Sequence, residues 1–246
     1  MGIIKKTIYT TALTGTSLLA YLGAATTVLS PLPDGDPLLR SKIYSKYNVH
    51  RNASTQDIAI KRIPISQIKP ELLQKEGDLA LEFCRGVWGG LGKFLQAIYP
   101  LPFKTDSCLP GYGIQRAYLA RKYRNPETSN QLWTADQLNN SKYDPKTVVT
   151  DHFEVVAKTP TEIVVRCGDT PRNQSPRESD GLFVISATVD KAREEVVFGL
   201  KSCFFNSSKK VEGIQGPMPG WIEELHRWYS RILLETGSWR TKTSII

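Results

Sequence analysis

Between Val148 and Phe205 four runs rich in Val, Ile, Phe and Thr follow one another: TVVTDHFEVVAK, EIVVRCGD, GLFVISATVD and EEVVFGLKSCFF. Thr-Pro, the polar loop TPRNQSPRESD and Lys-Ala-Arg separate them. β-Branched and aromatic runs bounded by Pro, Gly, Asp and Asn read as strands, and short connections make neighbours antiparallel. The stretch therefore predicts a β-meander. Alternation places Asp151, Phe153 and Val155 on one face of the first strand and His152, Glu154 and Val156 on the other. Further along, Cys167 opposes Arg166, Phe183 opposes Leu182, and Lys201 and Cys203 oppose Ser202.

The chain's end supplies the element that covers such a sheet. In GPMPGWIEELHRWYSRILLETGSWR, Pro219 and Gly220 give a start signal and Glu223 and Glu224 occupy the first turn. Ile222, Leu225, Tyr229, Ile232 and Leu233 form a 3-4-3 stripe, and Gly237 marks the expected exit. A helical block precedes the sheet. A helix is expected from Pro70, with Leu72, Leu79, Phe83, Val87, Leu91 and Leu95 as its apolar stripe, interrupted by Gly86, Gly89, Gly90 and Gly92. These glycines read either as tight packing against the sheet or as contact with a ligand. Pro100-Leu-Pro102 ends it, and LPGYGIQ opens a shorter helix that Asn125-Pro126 stops. Lys104 to Asp144 reads as a long insertion with few apolar anchors, of the kind that forms lids and binding loops.

Ile8 to Leu29 carries no charge over 22 positions, enough for a helix across about 30 Å of hydrocarbon. With Lys5 and Lys6 before it and Gly23-Ala24-Ala25 near its end, it reads as an uncleaved signal anchor or a cleavable signal peptide. Either places the chain in the endomembrane system, single-pass for an anchor, with the endoplasmic reticulum the leading location. Residues 1–30 are thus the anchor or signal peptide, 31–62 a linker (SPLPDGDP) and basic arm, and 63–246 one α+β domain. Arg40, Lys42, Lys46, Arg51, Lys61 and Arg62 face anionic lipid if the arm is cytosolic, at roughly 1 kcal/mol each. In a lumenal orientation Asn52, Asn139 and Asn206 head Asn-x-Ser triplets that can accept glycans.

The expected fold is therefore α+β: an antiparallel β-meander covered by a long C-terminal helix in a helix-grip-like arrangement, after a helical block and an N-terminal transmembrane helix. Such an arrangement leaves an apolar cavity with a few polar groups. Trp88, Phe153, Phe183, Trp221 and Tyr229 are the candidates to line it against a lipophilic small molecule. The formal net charge of +8 and pI near 9.3 favour anionic surfaces. No zinc-finger, P-loop or RNA-recognition motif accompanies the charge, so nucleic acid is not an expected partner. Cys84, Cys108, Cys167 and Cys203 lack metal-ligand spacing, so no metal is expected.

The runs SPLPDGDPLLRSKIYSKYNVHRN, PELLQKEGDLALEFCRGVWGGLG, RKYRNPETSNQLW, TDHFEVVAKTPTEIVVRCGDTPRNQ, SDGLF, FGLKSCFF and PMPGWIEELHRWYSRILLETG resemble a fungal family of unassigned domain type. The resemblance spans nearly the whole chain. More loosely, the element order resembles START-like and Bet v 1-like domains. Some fungal proteins of this size and style sit in secondary-metabolite gene clusters, among cofactor-free cyclases, isomerases and pericyclases acting on polyketides or terpenoids. The resemblance carries no catalytic residues over.

Histidine titrates near neutrality, so His152 on the first strand and His226 on the covering helix are the candidate acid/base groups, with Arg166 and Asp180 polarising a carbonyl. The plainer alternative has Arg166 paired with Glu154 across adjacent strands and His226 padding the helix. No G-x-S-x-G, H-E-x-x-H or dinucleotide glycine fingerprint in its required context is present. The expectation is a cofactor-independent cyclase or isomerase acting on a lipophilic polyketide or terpenoid. Its alternatives are a non-enzymatic lipid- or sterol-binding protein and a membrane scaffold.

Overall fold

The computed structural model describes residues 17, 19–90 and 112–243, with side chains from Tyr118 in the second block. Seven antiparallel strands form one sheet in the order β1-β2-β7-β6-β5-β4-β3. They are β1 (Thr27–Leu29), β2 (Thr55–Pro64), β3 (Val148–Val149), β4 (Phe153–Lys158), β5 (Glu162–Cys167), β6 (Asp180–Asp190) and β7 (Glu195–Phe205). The meander from β4 to β7 follows the apolar runs. β6 and β7 pair over their full lengths, from Asp180 opposite Phe205 to Asp190 opposite Glu195. Their turn is tied by the Asp190 carboxylate, which accepts from the N–H groups of Ala192 and Arg193.

The sheet is wider than the meander. Thr55–Pro64, expected within a basic arm, is a ten-residue strand paired with β7 from Thr55–Phe204 to Pro64–Glu195. The boundary drawn at residue 62 therefore falls inside a strand. The reason it escaped notice is chemical. The inward face of β2 is Thr55, Asp57, Ala59, Lys61 and Ile63, two of them charged, and the more apolar Ile58 and Ile60 lie on its half-buried outer face. A charged stretch reads as solvated unless its charges are paired inside, and here they are.

The segment ahead of it also joins the domain. Residues 19–25 are helical, and Thr27–Leu29 then pairs with β2 as the sheet edge, Thr27 opposite Ile60. Leu22 and Thr26 are buried. A helix continuous from Ile8 to Leu29 is thereby excluded at its C-terminal end, while residues 1–16 and 18 lie outside the described set. Among the described residues no helix is long and apolar enough to cross a membrane.

Besides the helical residues 19–25, five helices accompany the sheet among the described residues: α1 (Lys42–Tyr47), α2 (Asp78–Gly89), α3 (Tyr112–Tyr123), α4 (Ala135–Asn140) and α5 (Gly220–Thr241). Pro70 begins only a 3-10 turn, and α2 starts after Gly77, whose φ of +94° breaks the chain's direction. α2 and α5 lie side by side on one face of the sheet. They touch where both lack side chains: a Cβ on Gly86 would sit 2.7 Å from the Gly237 Cα, and one on Gly237 would sit 2.6 Å from Phe83 Cε2. The α5 helix therefore runs through Gly237, where an exit was expected, because that glycine lets α2 approach. Gly86 is thus tightly packed, but against α5 and not against the sheet; Gly89 likewise abuts the Asn139 amide, and Gly92 lies outside the described residues.

Phe83, Val87, Ile163, Val165, Ile185, Phe198 and Leu200 fill the space between helices and sheet, with Phe83 and Phe198 centroids 4.9 Å apart. Each such side chain contributes about 1.5–3 kcal/mol on burial. Leu138 and Tyr143 from the insertion are fully buried in the same core. That insertion has more apolar anchors than its sequence suggested. The other face of the sheet (Val164, Leu182, Val184, Cys203 and Phe205) is covered by Leu38 and by Tyr44 and Tyr47 of α1, so this part of the arm lies on the domain. Even the Pro-rich linker is pinned, with Lys201 Nζ 2.7 Å from Asp36 Oδ1.

Candidate functional site

On the helix-covered face the strand register lays Asp57, Ser202, Phe183 and Val165 in one row across β2, β7, β6 and β5. Neighbouring side chains in such a row stand about 4.5–5.5 Å apart at Cβ. One half of the row is therefore polar and the other aromatic. His226 of α5 lies over the polar half. Its Nε2 is 2.9 Å from Ser202 Oγ, 3.6 Å from Asp57 Oδ2 and 3.4 Å from Ser230 Oγ, and its ring meets Phe204 edge-on at 5.2 Å. Ser202 Oγ donates to Asp57 Oδ1 at 2.7 Å.

This Asp-Ser-His set is wired differently from a hydrolase triad. There the serine gives its proton to one histidine nitrogen and the carboxylate holds the other. With Asp57 ionised, the hydroxyl proton goes to its carboxylate and Ser202 accepts from an Nε2–H, and in either tautomer both partners converge on the same nitrogen. Ser202 is thus a relay between two titratable groups and not an activated nucleophile. Burial pushes the Asp57 carboxyl up, opposed by the His226 and Arg227 charges and the Ser202 bond. Burial pulls His226 down, opposed by Asp57. Desolvation favours the neutral form of each, and their opposite shifts draw the proton affinities of the two groups towards one another. The His226 side chain keeps 17% of its surface in contact with solvent, which leaves the pair a way out.

The aromatic half is a cluster. Trp88 of α2 packs 4.9 Å from Phe153 and 6.2 Å from Phe183, and Tyr229 of α5 lies partly buried against the same core. Of the five candidate lining residues, Trp221 departs: it is 68% exposed on the outer side of α5.

The four candidate catalytic residues fall in three separate places, and of them Arg166 and Asp180 meet. Arg166 lies on the opposite face of the sheet, its Nε and Nη2 donating to the two carboxylate oxygens of Asp180 at 2.9 and 2.7 Å. Ser207 Oγ and the Gly181 N–H also donate to Asp180, and Tyr47 stacks 4.3 Å from the guanidinium carbon. This pair is closed on itself, with Asp180 in the place the plainer alternative gave to Glu154. His152 sits at a third place, edge-on to Phe153 at 4.9 Å and after two residues in left-handed backbone, Thr150 (φ 52°) and Asp151 (φ 50°). Asp151 is held there by Gln131 Nε2 at 2.9 Å and Arg172 Nη2 at 2.6 Å.

Burial, aided by Arg177 and opposed by Asp169 and Asp151, lowers His152 from its ordinary 6.5. A histidine with a depressed folded pKa leaves stability intact above about 6.5 and withdraws it as pH falls towards the folded value. Urea midpoints are therefore expected to drop between about pH 7.5 and 5.5, and the drop to shrink in His152→Gln. An equal drop in that variant would place the pH dependence elsewhere.

The glycosylation candidates differ sharply. Asn52 is buried, its Nδ2 donating to the carbonyls of Asn206 and Lys209 at 2.7 Å each, so the folded chain has no free amide hydrogen there for a glycan. Asn139 and Asn206 are half-buried; Asn139 Oδ1 accepts from Arg240, and Asn206 Oδ1 from the N–H groups of Ser208 and Lys209.

Sequence reading missed Asp57, Ser202, Lys61 and Glu235. The signal was there for the first and third: Asp57 and Lys61 share one strand face with Ala59 and Ile63. No family model matches the chain, and no curated protein or solved structure is significantly similar to it.

Proposed function

We propose that the domain binds a lipophilic small molecule along the Trp88–Phe153–Phe183 cluster and isomerises or cyclises it by proton transfer through His226, Ser202 and Asp57, without a cofactor. The observation that carries this reading is the row Asp57–Ser202–Phe183, a chain of acid/base groups directly beside a buried aromatic cluster. A ligand lying on the aromatic half brings a carbonyl or enol to His226. The Nε2 proton passes to that oxygen, a carbon-bound proton returns to the relay, and the pair ends in its starting state. General acid/base help of this kind contributes about 10²–10⁴-fold.

The connectivity supports a helix-grip-like description: the order β2-β7-β6-β5-β4-β3, with helices inserted between β2 and β3 and a long helix after β7. A polyketide or terpenoid substrate rests on the sequence resemblance to fungal proteins, and placement at an endomembrane rests on the uncharged run from Ile8. A second reading, a non-enzymatic lipid-binding protein, is favoured by one observation: Asp57, Ser202 and His226 satisfy one another.

Comparative metabolite profiling separates the two. In a strain lacking the gene, an uncyclised or isomeric precursor is expected to accumulate, and His226→Phe is expected not to clear it while the wild-type gene does. Full restoration by His226→Phe at wild-type protein level overturns the acid/base assignment.

A further inference from the structure

The outer side of α5, turned away from the sheet, is apolar as well. Trp221, Leu225, Trp228, Ile232 and Trp239 recur at helical spacing opposite the buried Ser230, Leu233, Leu234 and Gly237. Trp221 is 68% and Leu225 61% exposed, and Trp239 is exposed as well. A helix of a globular domain needs one apolar face; this one has two. Three of the chain's five tryptophans lie on the outer one, whereas Trp88 and Trp133 are buried.

The N-terminal segment extends the same surface. It runs antiparallel along the flank of α5: Tyr21 Oη donates to Glu235 at 3.2 Å, Arg231 Nη1 to the Thr26 carbonyl at 2.7 Å, and Arg227 Nη2 to Ser30 Oγ at 3.2 Å. Those contacts fix it to the helix while leaving Leu19, Tyr21 and Leu29 exposed. The chain arrives at Leu19 from a stretch without a charge between Ile8 and Leu18, preceded by Lys5 and Lys6.

We infer that this surface, the outer stripe of α5 with residues 19–29 beside it, lies in the interfacial layer of a lipid bilayer, with α5 parallel to the membrane plane. The inference rests on the endomembrane placement proposed above and is independent of the proton chemistry. Tryptophan and tyrosine are the side chains that settle at the headgroup level, and a helix with one apolar stripe beside basic groups is the form that lies in that layer. Arg231 on the adjoining flank of α5 and the net charge of +8 suit an anionic leaflet, while Arg227 is ion-paired with Glu223 and Glu224. The uncharged approach to Leu19 brings the domain to the membrane on this side, which selects lipid over a second copy of the chain.

The test uses the full-length chain with vesicles of phosphatidylcholine and phosphatidylserine. A cysteine at Leu225 (Leu225→Cys) and, in a separate chain, at the exposed β6–β7 turn (Lys191→Cys) carries an environment-sensitive fluorophore. Cys84, Cys167 and Cys203 are buried and Cys108 is replaced by serine. The expected result is flotation with the vesicles and a blue shift at position 225 that position 191 lacks. A chain that floats without a shift at 225 overturns the assigned face while leaving membrane placement standing. A chain that does not float overturns both. A shift that appears without vesicles and grows with protein concentration marks a second copy as the occupant and also overturns the inference.

Discussion

Lys61→Met is expected to destabilise the chain by roughly 3–5 kcal/mol, among the largest effects of any single substitution outside the apolar core. Lys61 points from β2 into the interface with α5, where its Nζ is bonded to Glu235 Oε2, and both side chains are almost completely buried. Burial lowers the Lys61 pKa, and the Glu235 carboxylate works against that. Tyr21 Oη also donates to Glu235, and its own pKa is pushed up to about 12, first by burial and then by that carboxylate. Removing the lysine leaves a buried carboxylate with the tyrosine alone. The double variant Lys61→Met/Glu235→Leu removes both charges and is expected to recover most of the loss, because a buried pair contributes little beyond a well-packed apolar replacement. Urea midpoints with unchanged slope measure both. A loss under about 1 kcal/mol in the single variant would mean that the pair is open to water.

Arg166→Met is expected to have a comparable effect, again roughly 3–5 kcal/mol, from the other face of the sheet. Asp180 is fully buried and loses two of its four hydrogen bonds at once, keeping those from Ser207 and Gly181. Arg166→Lys is expected to recover only part of the loss, since an ammonium cannot reproduce the two-pronged contact or the stacking on Tyr47. If Arg166 took part in the chemistry, its variants would lose turnover beyond their loss of folded protein. The account expects turnover per folded molecule to stay as in the wild type.

The two pairs show where sequence reading succeeds and where it stops. β4 to β7 were legible because their apolar alternation and turn residues agree, and α5 because its stripe and start signal agree. β2 was not, because its inward face carries Asp57 and Lys61. Their partners Ser202, His226 and Glu235 lie more than a hundred residues away, and nothing local announces that the charges are compensated. Gly237 misled for a related reason. A glycine near a helix end reads as a stop, and only the approach of Phe83 shows that it serves packing. At the site, aromatic character put Trp88, Phe153 and Phe183 into one list with Trp221 and Tyr229, and the structure brings the first three into one cluster. The histidines were singled out by residue type and by the element each lies on, which does not show that His152, Arg166 and His226 occupy three separate places.

The most direct test of the proton-transfer proposal is deuterium incorporation. Purified chain is incubated in deuterated water with an organic extract of the strain lacking the gene, and the products are followed by mass spectrometry. The account predicts conversion of the accumulated precursor to a product that carries deuterium at the newly protonated carbon, with conversion lost in His226→Phe. Equal conversion by His226→Phe, or no conversion by the wild-type chain, would contradict it.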